Sequence, residues 1–143
     1  MKRDLIKEKI NDLKSFFCGQ DVIATVYLFG SYGTELYDHE RSDIDLAIIY
    51  SQALTLKEEM LIDAEITLIL ESDNVDVVNL NKARVDISYH VLAMGKIIYE
   101  RDKIITANFV ENILKHYFDH GIALEKMKAD TYEVIKEDTN SCD

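Results

Sequence analysis

From Val22 to Phe29 the chain reads Val-Ile-Ala-Thr-Val-Tyr-Leu-Phe, an unbroken β-branched and aromatic run that stops at Gly30-Ser31. A run of that kind, bounded by turn residues, predicts a buried strand. A second apolar strand is expected from Asp43 to Tyr50, across a polar loop from Tyr37 to Ser42. Ser31 to Leu36 reads as a short helix between them. Two such strands need layers to cover them, and the flanking sequence supplies helical patterns. Ile6, Ile10, Leu13 and Phe17 recur at helical spacing, with Gly19 placed to end the element.

Beyond Tyr50 the pattern keeps alternating between the two types. Leu56 to Leu70 reads as a helix, and the turn-like Glu71-Ser72-Asp73-Asn74 follows it. Val75 to Leu80 predicts a third strand lying beside the second. Val85 to Met94 is helical in pattern and ends at Gly95, Lys96 to Glu100 predicts a fourth short strand, and about Asp102 to Glu137 is helical again. Strands separated by helices predict an α/β (α+β) fold with a small mixed β-sheet flanked by helices and a C-terminal helical segment. At 143 residues one domain is expected over 1–143, its α/β core at about 1–101 and C-terminal helices at about 102–137.

The chain carries 16 Lys plus Arg against 27 Asp plus Glu, a formal net charge of −11, and a field of that sign repels phosphate backbones. Direct nucleic-acid binding is therefore disfavoured, whereas a basic protein partner, or a nucleotide carried with magnesium, suits the same field. Cys18 and Cys142 form no CxxC pair, which argues against a disulfide framework and a structural zinc site and points to a reducing compartment. No apolar run reaches the roughly 20 residues that span a bilayer, so a cytoplasmic location is expected, with no membrane contact.

Asp43 and Asp45 sit at i and i+2 on a strand, so both carboxylates point to one face while Ile44 and Leu46 point into the core. Mg2+ prefers oxygen ligands and takes one or two carboxylates from a protein, leaving the rest to water and substrate phosphates. Gly30 and Ser31 fall where a strand ends and a helix begins, and backbone N–H groups there, with the Ser31 hydroxyl, suit phosphate oxygens beside such a metal. Asp76 breaks the apolar run Val75-Asp76-Val77-Val78 with a charge and is the candidate third carboxylate.

Hydrophobic-Gly-Ser, a spacer, then Asp-hydrophobic-Asp-hydrophobic resembles the nucleotidyltransferase signature of the polymerase-β-like superfamily. The short length, the Gly33-Thr34-Glu35-Leu36 continuation and the Tyr117-Phe118-Asp119 helix are similar to the minimal nucleotidyltransferase (MNT) antitoxins, over nearly the whole chain. That resemblance implies a nucleotidyltransferase fold, a HEPN-domain ribonuclease toxin as protein partner, and transfer of AMP from ATP onto a tyrosine of that toxin. It implies that Gly30 and Ser31 bind the triphosphate, that Asp43 and Asp45 hold Mg2+, and that Asp76, a further metal and catalytic carboxylate, serves the acceptor side. The spacer from Ser31 to Asp43 is eleven residues, longer than the family pattern more often has, so the loop with Arg41 is expected to be shaped differently.

Other readings of the same residues are weaker. The string Gly30-Ser31-Tyr32-Gly33 also matches the GxxG loop of KH domains, but Glu35, Asp38 and Glu40 follow at once where a phosphate backbone needs bases. His116 and His120 share a helix face without an HExxH motif, and a partly exposed surface accounts for them. Val110, Ile113, Tyr117, Leu124 and Met127, with Leu114, Phe118 and Ile122 beside them, form a wide apolar stripe of which one line is expected to pack on the sheet and the other to be available to a partner. Two further functions fit part of this pattern: an antitoxin that acts by binding alone, its site vestigial, and a nucleotidyltransferase with a small-molecule acceptor.

Overall fold

A computed structural model describes residues 2–29 and 44–118, with side chains described at 8–29 and 44–117. In chain order the elements are α1 (Lys2–Cys18), β1 (Ile23–Phe29), β2 (Ile44–Tyr50), α2 (Leu56–Leu70), β3 (Val75–Asn79), α3 (Val85–Met94), β4 (Lys96–Glu100) and α4 (Lys103–Phe118). The strands form one sheet in the order β3-β2-β1-β4. β1 pairs antiparallel with β2 and with β4, while β2 and β3 are parallel, so the sheet is mixed as the sequence predicts. The expected third strand does lie beside the second. The expectations for Ser31 to Leu36, for the Tyr37 to Ser42 loop and for the helix beyond Phe118 lie outside the described residues.

The sheet is covered on both faces, which is why its strands read as nearly continuous apolar runs. Leu13 and Phe17 of α1 and Ile62, Ile66 and Leu70 of α2 close over Val26, Leu46, Ile48 and Tyr99 on one face. Val91 and Leu92 of α3 and Val110 and Ile113 of α4 close over Tyr27, Ala47 and Ile49 on the other. Period-two alternation along β2 sends Ile44, Leu46 and Ile48 to the first layer and Ala47 and Ile49 to the second. The apolar stripe of α4 is thus committed to the core over its described length, since Val110 and Ile113 are buried and Leu114 and Tyr117 pack against the same cluster.

Local chemistry fixes the ends of these elements. Thr55 caps α2 in a reciprocal box: its Oγ1 accepts from the Glu58 N–H at 3.2 Å and its own N–H donates to Glu58 Oε1 at 3.0 Å. At the other end Glu71 adopts φ 52°, the left-handed region, to close the helix. Arg101 Nη2 donates to the Phe17 and Cys18 carbonyls at 3.3 and 2.5 Å, adding a cation to a C-terminal turn of α1 that the Gly19 and Gln20 N–H groups also close, through the Phe16 and Phe17 carbonyls. The Asn81 side chain prolongs the β2–β3 ladder past its last strand residue, donating to the Tyr50 carbonyl and accepting from the Tyr50 N–H, both at 2.9 Å. A buried hydrogen bond between the Thr25 and Thr106 hydroxyls ties α4 to β1. Cys18 is disulfide-bonded, contrary to the expectation against a disulfide framework.

Candidate active site

Strand register, rather than sequence proximity, assembles the candidate site. Phe29, the last residue of β1, pairs with Asp45 of β2, and Asp45 pairs in turn with Asp76 of β3. Directly paired residues on adjacent strands present their side chains to the same face, about 4.8 Å apart along the hydrogen-bonding direction. Asp45 and Asp76 therefore stand abreast, on the face whose later positions, Ala47 and Val78, enter the α3/α4 core. Asp45 is half-buried, and Asp76, on the edge strand, is exposed. The pair combines one carboxylate held by the scaffold with one open to an incoming molecule.

The backbone under this pair is rigidly built. Ile44 and Leu46, which flank Asp45, are buried to 1% and 0% exposure, and the Ile44 N–H donates to the Asn74 carbonyl at 2.7 Å. That last bond anchors the turn leading into β3 and so the position of Asp76. Like charges directly opposite on neighbouring strands are destabilising unless a counter-charge joins them. Two carboxylates so placed suit a hard divalent cation, which takes oxygen ligands and leaves coordination positions for a substrate. Among the described residues no group of three or more His, Cys, Asp or Glu side chains is placed to hold a metal. Asp43, two residues before Asp45, lies outside the described residues, as do Gly30, Ser31 and Arg41; Gly30 and Ser31 follow directly on Phe29.

A second polar group, which no motif marks in the sequence, lies at the opposite end of β2 and β3. Glu59 of α2 accepts from Asn79 Nδ2 and from Lys82 Nζ, the latter at 3.0 Å, and these hydrogen bonds hold its carboxyl below the usual range. Asp63, one turn further on, is pushed up by burial and by the negative Glu59. Burial, Asp63 and Glu59 together push the Tyr50 phenol above its ordinary value. The role of this cluster is to lock α2 onto the end of β3, and its members come together only through the fold, Glu59 lying 20 and 23 residues from Asn79 and Lys82. His116 bonds through Nδ1 to the Asn112 carbonyl at 2.8 Å, in keeping with an exposed helix surface.

The sequence profile of the family described as Polymerase beta, Nucleotidyltransferase matches residues 11–104, and the chain belongs to that family. The match contains β1, β2 and β3 and hence both carboxylates. Among solved structures, the chain is similar to one from the complex of a tri-AMPylated Shewanella oneidensis HEPN toxin with its MNT antitoxin, at 21% identity and a TM-score of 0.61, covering 92% of this chain and 97% of that one. It is also similar to a chain of the toxin–antitoxin MntA–HepT, at 20% identity and a TM-score of 0.59, covering 92% and 97%. A toxin–antitoxin structure with AMP-PNP matches at 20% identity and a TM-score of 0.58, covering 96% and 98%. At these identities the likeness is one of fold. No curated protein matches the chain.

Proposed function

We propose that the chain is a minimal nucleotidyltransferase antitoxin that neutralises a HEPN-family ribonuclease toxin by transferring AMP from ATP onto a toxin tyrosine. The observation that carries this reading is the pairing of Asp45 with Asp76 on adjacent strands of a chain belonging to the nucleotidyltransferase family. The fold-level likeness to an MNT antitoxin in complex with an AMPylated HEPN toxin, and to a toxin–antitoxin structure with AMP-PNP, supports the acceptor class and the nucleotide.

In this reading Asp43 and Asp45 hold Mg2+, Asp76 completes the carboxylate set toward the acceptor, and Gly30 and Ser31 bind the triphosphate. Magnesium, when bound, neutralises phosphate charge and stabilises both the attacking and the leaving oxygen. The acceptor oxygen forms a bond to the α-phosphorus as the bond from that phosphorus to the bridging oxygen breaks, releasing pyrophosphate. Exposed on its edge strand, Asp76 is reachable by a macromolecular acceptor and can take the tyrosine proton. Asp45, fixed between Ile44 and Leu46, positions rather than moves. Catalysis then rests on orientation and charge placement, with no covalent enzyme intermediate.

The reaction needs only a nucleotide and a protein acceptor, so the protein acts where both occur, in the cytoplasm. No described helix is long and apolar enough to cross a membrane. The direct test incubates the purified chain with α-labelled ATP, Mg2+ and the HEPN protein encoded beside it. Label on a toxin tyrosine supports the reading. Suppression of the toxin without label would leave an antitoxin that acts by binding alone, and label on a small molecule in place of the toxin would redirect the acceptor.

A further inference from the structure

Helix α2 buries one side and leaves the other apolar. Ile62, Ile66 and Leu70 point into the core, while Leu56, Met60, Leu61 and Leu68 are 59–70% exposed. Leu56, Met60, Ala64 and Leu68 recur every four residues, and Leu61 lies beside Leu68 at i+7, so the exposed side chains share one face over the length of the helix. A contiguous apolar face is different from scattered surface leucines, because its removal from water needs a partner. Its rim is acidic. Glu58, Glu65, Glu71 and Asp73 are exposed around it, and Lys57, in the first turn, is an exposed basic residue within the face itself, so the acidic side chains outnumber it.

The charge on that rim selects among occupants. A second copy docked isologously would set Glu58 and Glu65 of one chain against those of the other, with each chain carrying −11. The chain's own residues 119–143 hold three lysines against seven acidic residues and match the rim no better. An apolar surface flanked by lysine and arginine fits both the leucines and the carboxylates. We infer that the outer face of α2 docks a partner protein through an amphipathic helix with an apolar stripe and a basic rim. Leu68 lies at the end of α2 that leads through 71–74 into β3, and α2 covers the sheet face opposite the one that presents Asp45 and Asp76, so a partner seated there leaves the carboxylate face open.

The inference requires no nucleotide chemistry, and its test contains no ATP. A labelled synthetic helical peptide with a leucine face and a lysine rim is titrated with the full chain and followed by fluorescence anisotropy, beside the same peptide with a glutamate rim. The lysine peptide is expected to bind at least tenfold more tightly, and less tightly as salt rises. A Leu61→Asp, Leu68→Asp variant is expected to lose at least tenfold with an unchanged melting curve, since both side chains are already exposed. Equal affinity for the two rims, or undiminished binding by the variant, overturns the inference. So does a wild-type dimer that these substitutions dissolve in sedimentation, or crosslinking of a photoreactive group at position 61 to residues 119–143 of the same chain.

Discussion

Replacing Asp76 with Asn should stabilise the fold when metal is absent and weaken the protein's response to metal and nucleotide. The carboxylates of Asp45 and Asp76 extend from paired positions on adjacent strands. Two unit charges about 5 Å apart in a water-like dielectric repel by about 0.8 kcal/mol, and Asp76 is exposed enough for that limit to apply. Cross-strand pairs are worth roughly 0.2–1 kcal/mol, which agrees. For a chain of this size about 1 kcal/mol moves the melting temperature by about 3–4 °C, so Asp76→Asn in EDTA should melt about 1–4 °C above wild type. Mg2+ with ATP at ten times the dissociation constant should add about 1.4 kcal/mol to wild type and much less to the variant, reversing the order. Paired thermal melts with EDTA and with Mg–ATP make the measurement. An Asp76→Asn protein that melts below wild type in EDTA, or gains equally from Mg–ATP, would refute the view that these carboxylates oppose each other and share a cation.

Other consequences follow from local geometry. Arg101→Ala should cost about 1.5–3 kcal/mol in urea unfolding, because charged hydrogen bonds to the Phe17 and Cys18 carbonyls are lost; a cost under about 0.5 kcal/mol would show that water caps α1 as well. Gly95→Ala should destabilise by about 1–3 kcal/mol, since a Cβ there would come within 2.6 Å of the Val91 carbonyl oxygen, a backbone atom; a neutral result would mean that the end of α3 shifts freely. Burial first, and Glu59 second, raise the folded-state pKa of Asp63, so its contribution is present below the unfolded carboxylate range and is lost as pH rises through the raised value. Asp63→Asn should therefore gain stability at neutral pH relative to wild type, and the gain should vanish on acidification, as read from urea midpoints across the carboxylate range.

The ends of α2, α3 and β4 were legible because local chemistry marks them. Thr55 and Glu58 sit at capping-box spacing, and Gly95 stops α3. The two carboxylates were legible as residue types, Asp45 by its spacing from Asp43 and Asp76 as a charge in an apolar strand. Their juxtaposition depends on parallel register between β2 and β3, a long-range property that only the expectation of neighbouring strands approached. Arg101 on the end of α1 was not legible, because its partners lie 83 and 84 residues away. The disulfide of Cys18 was missed for the same reason, since spacing along the chain carries no distance in space. Helical periodicity in Val110, Ile113 and Tyr117 was correctly seen, yet a pattern cannot say which apolar face stays uncovered. Over its described length α4 is packed against the sheet, and the face left open belongs to α2.

The central claim is that neutralisation is chemical and runs through the carboxylates at the end of β2. The most direct measurement compares wild type with Asp45→Asn, at matched folded concentration, for transfer of label from α-labelled ATP to the HEPN protein and for suppression of its ribonuclease activity. The account predicts that wild type labels a toxin tyrosine and suppresses the toxin at substoichiometric dose. Asp45→Asn should label nothing and suppress only in excess. Equal suppression by the two proteins at limiting dose, with or without label, would contradict it.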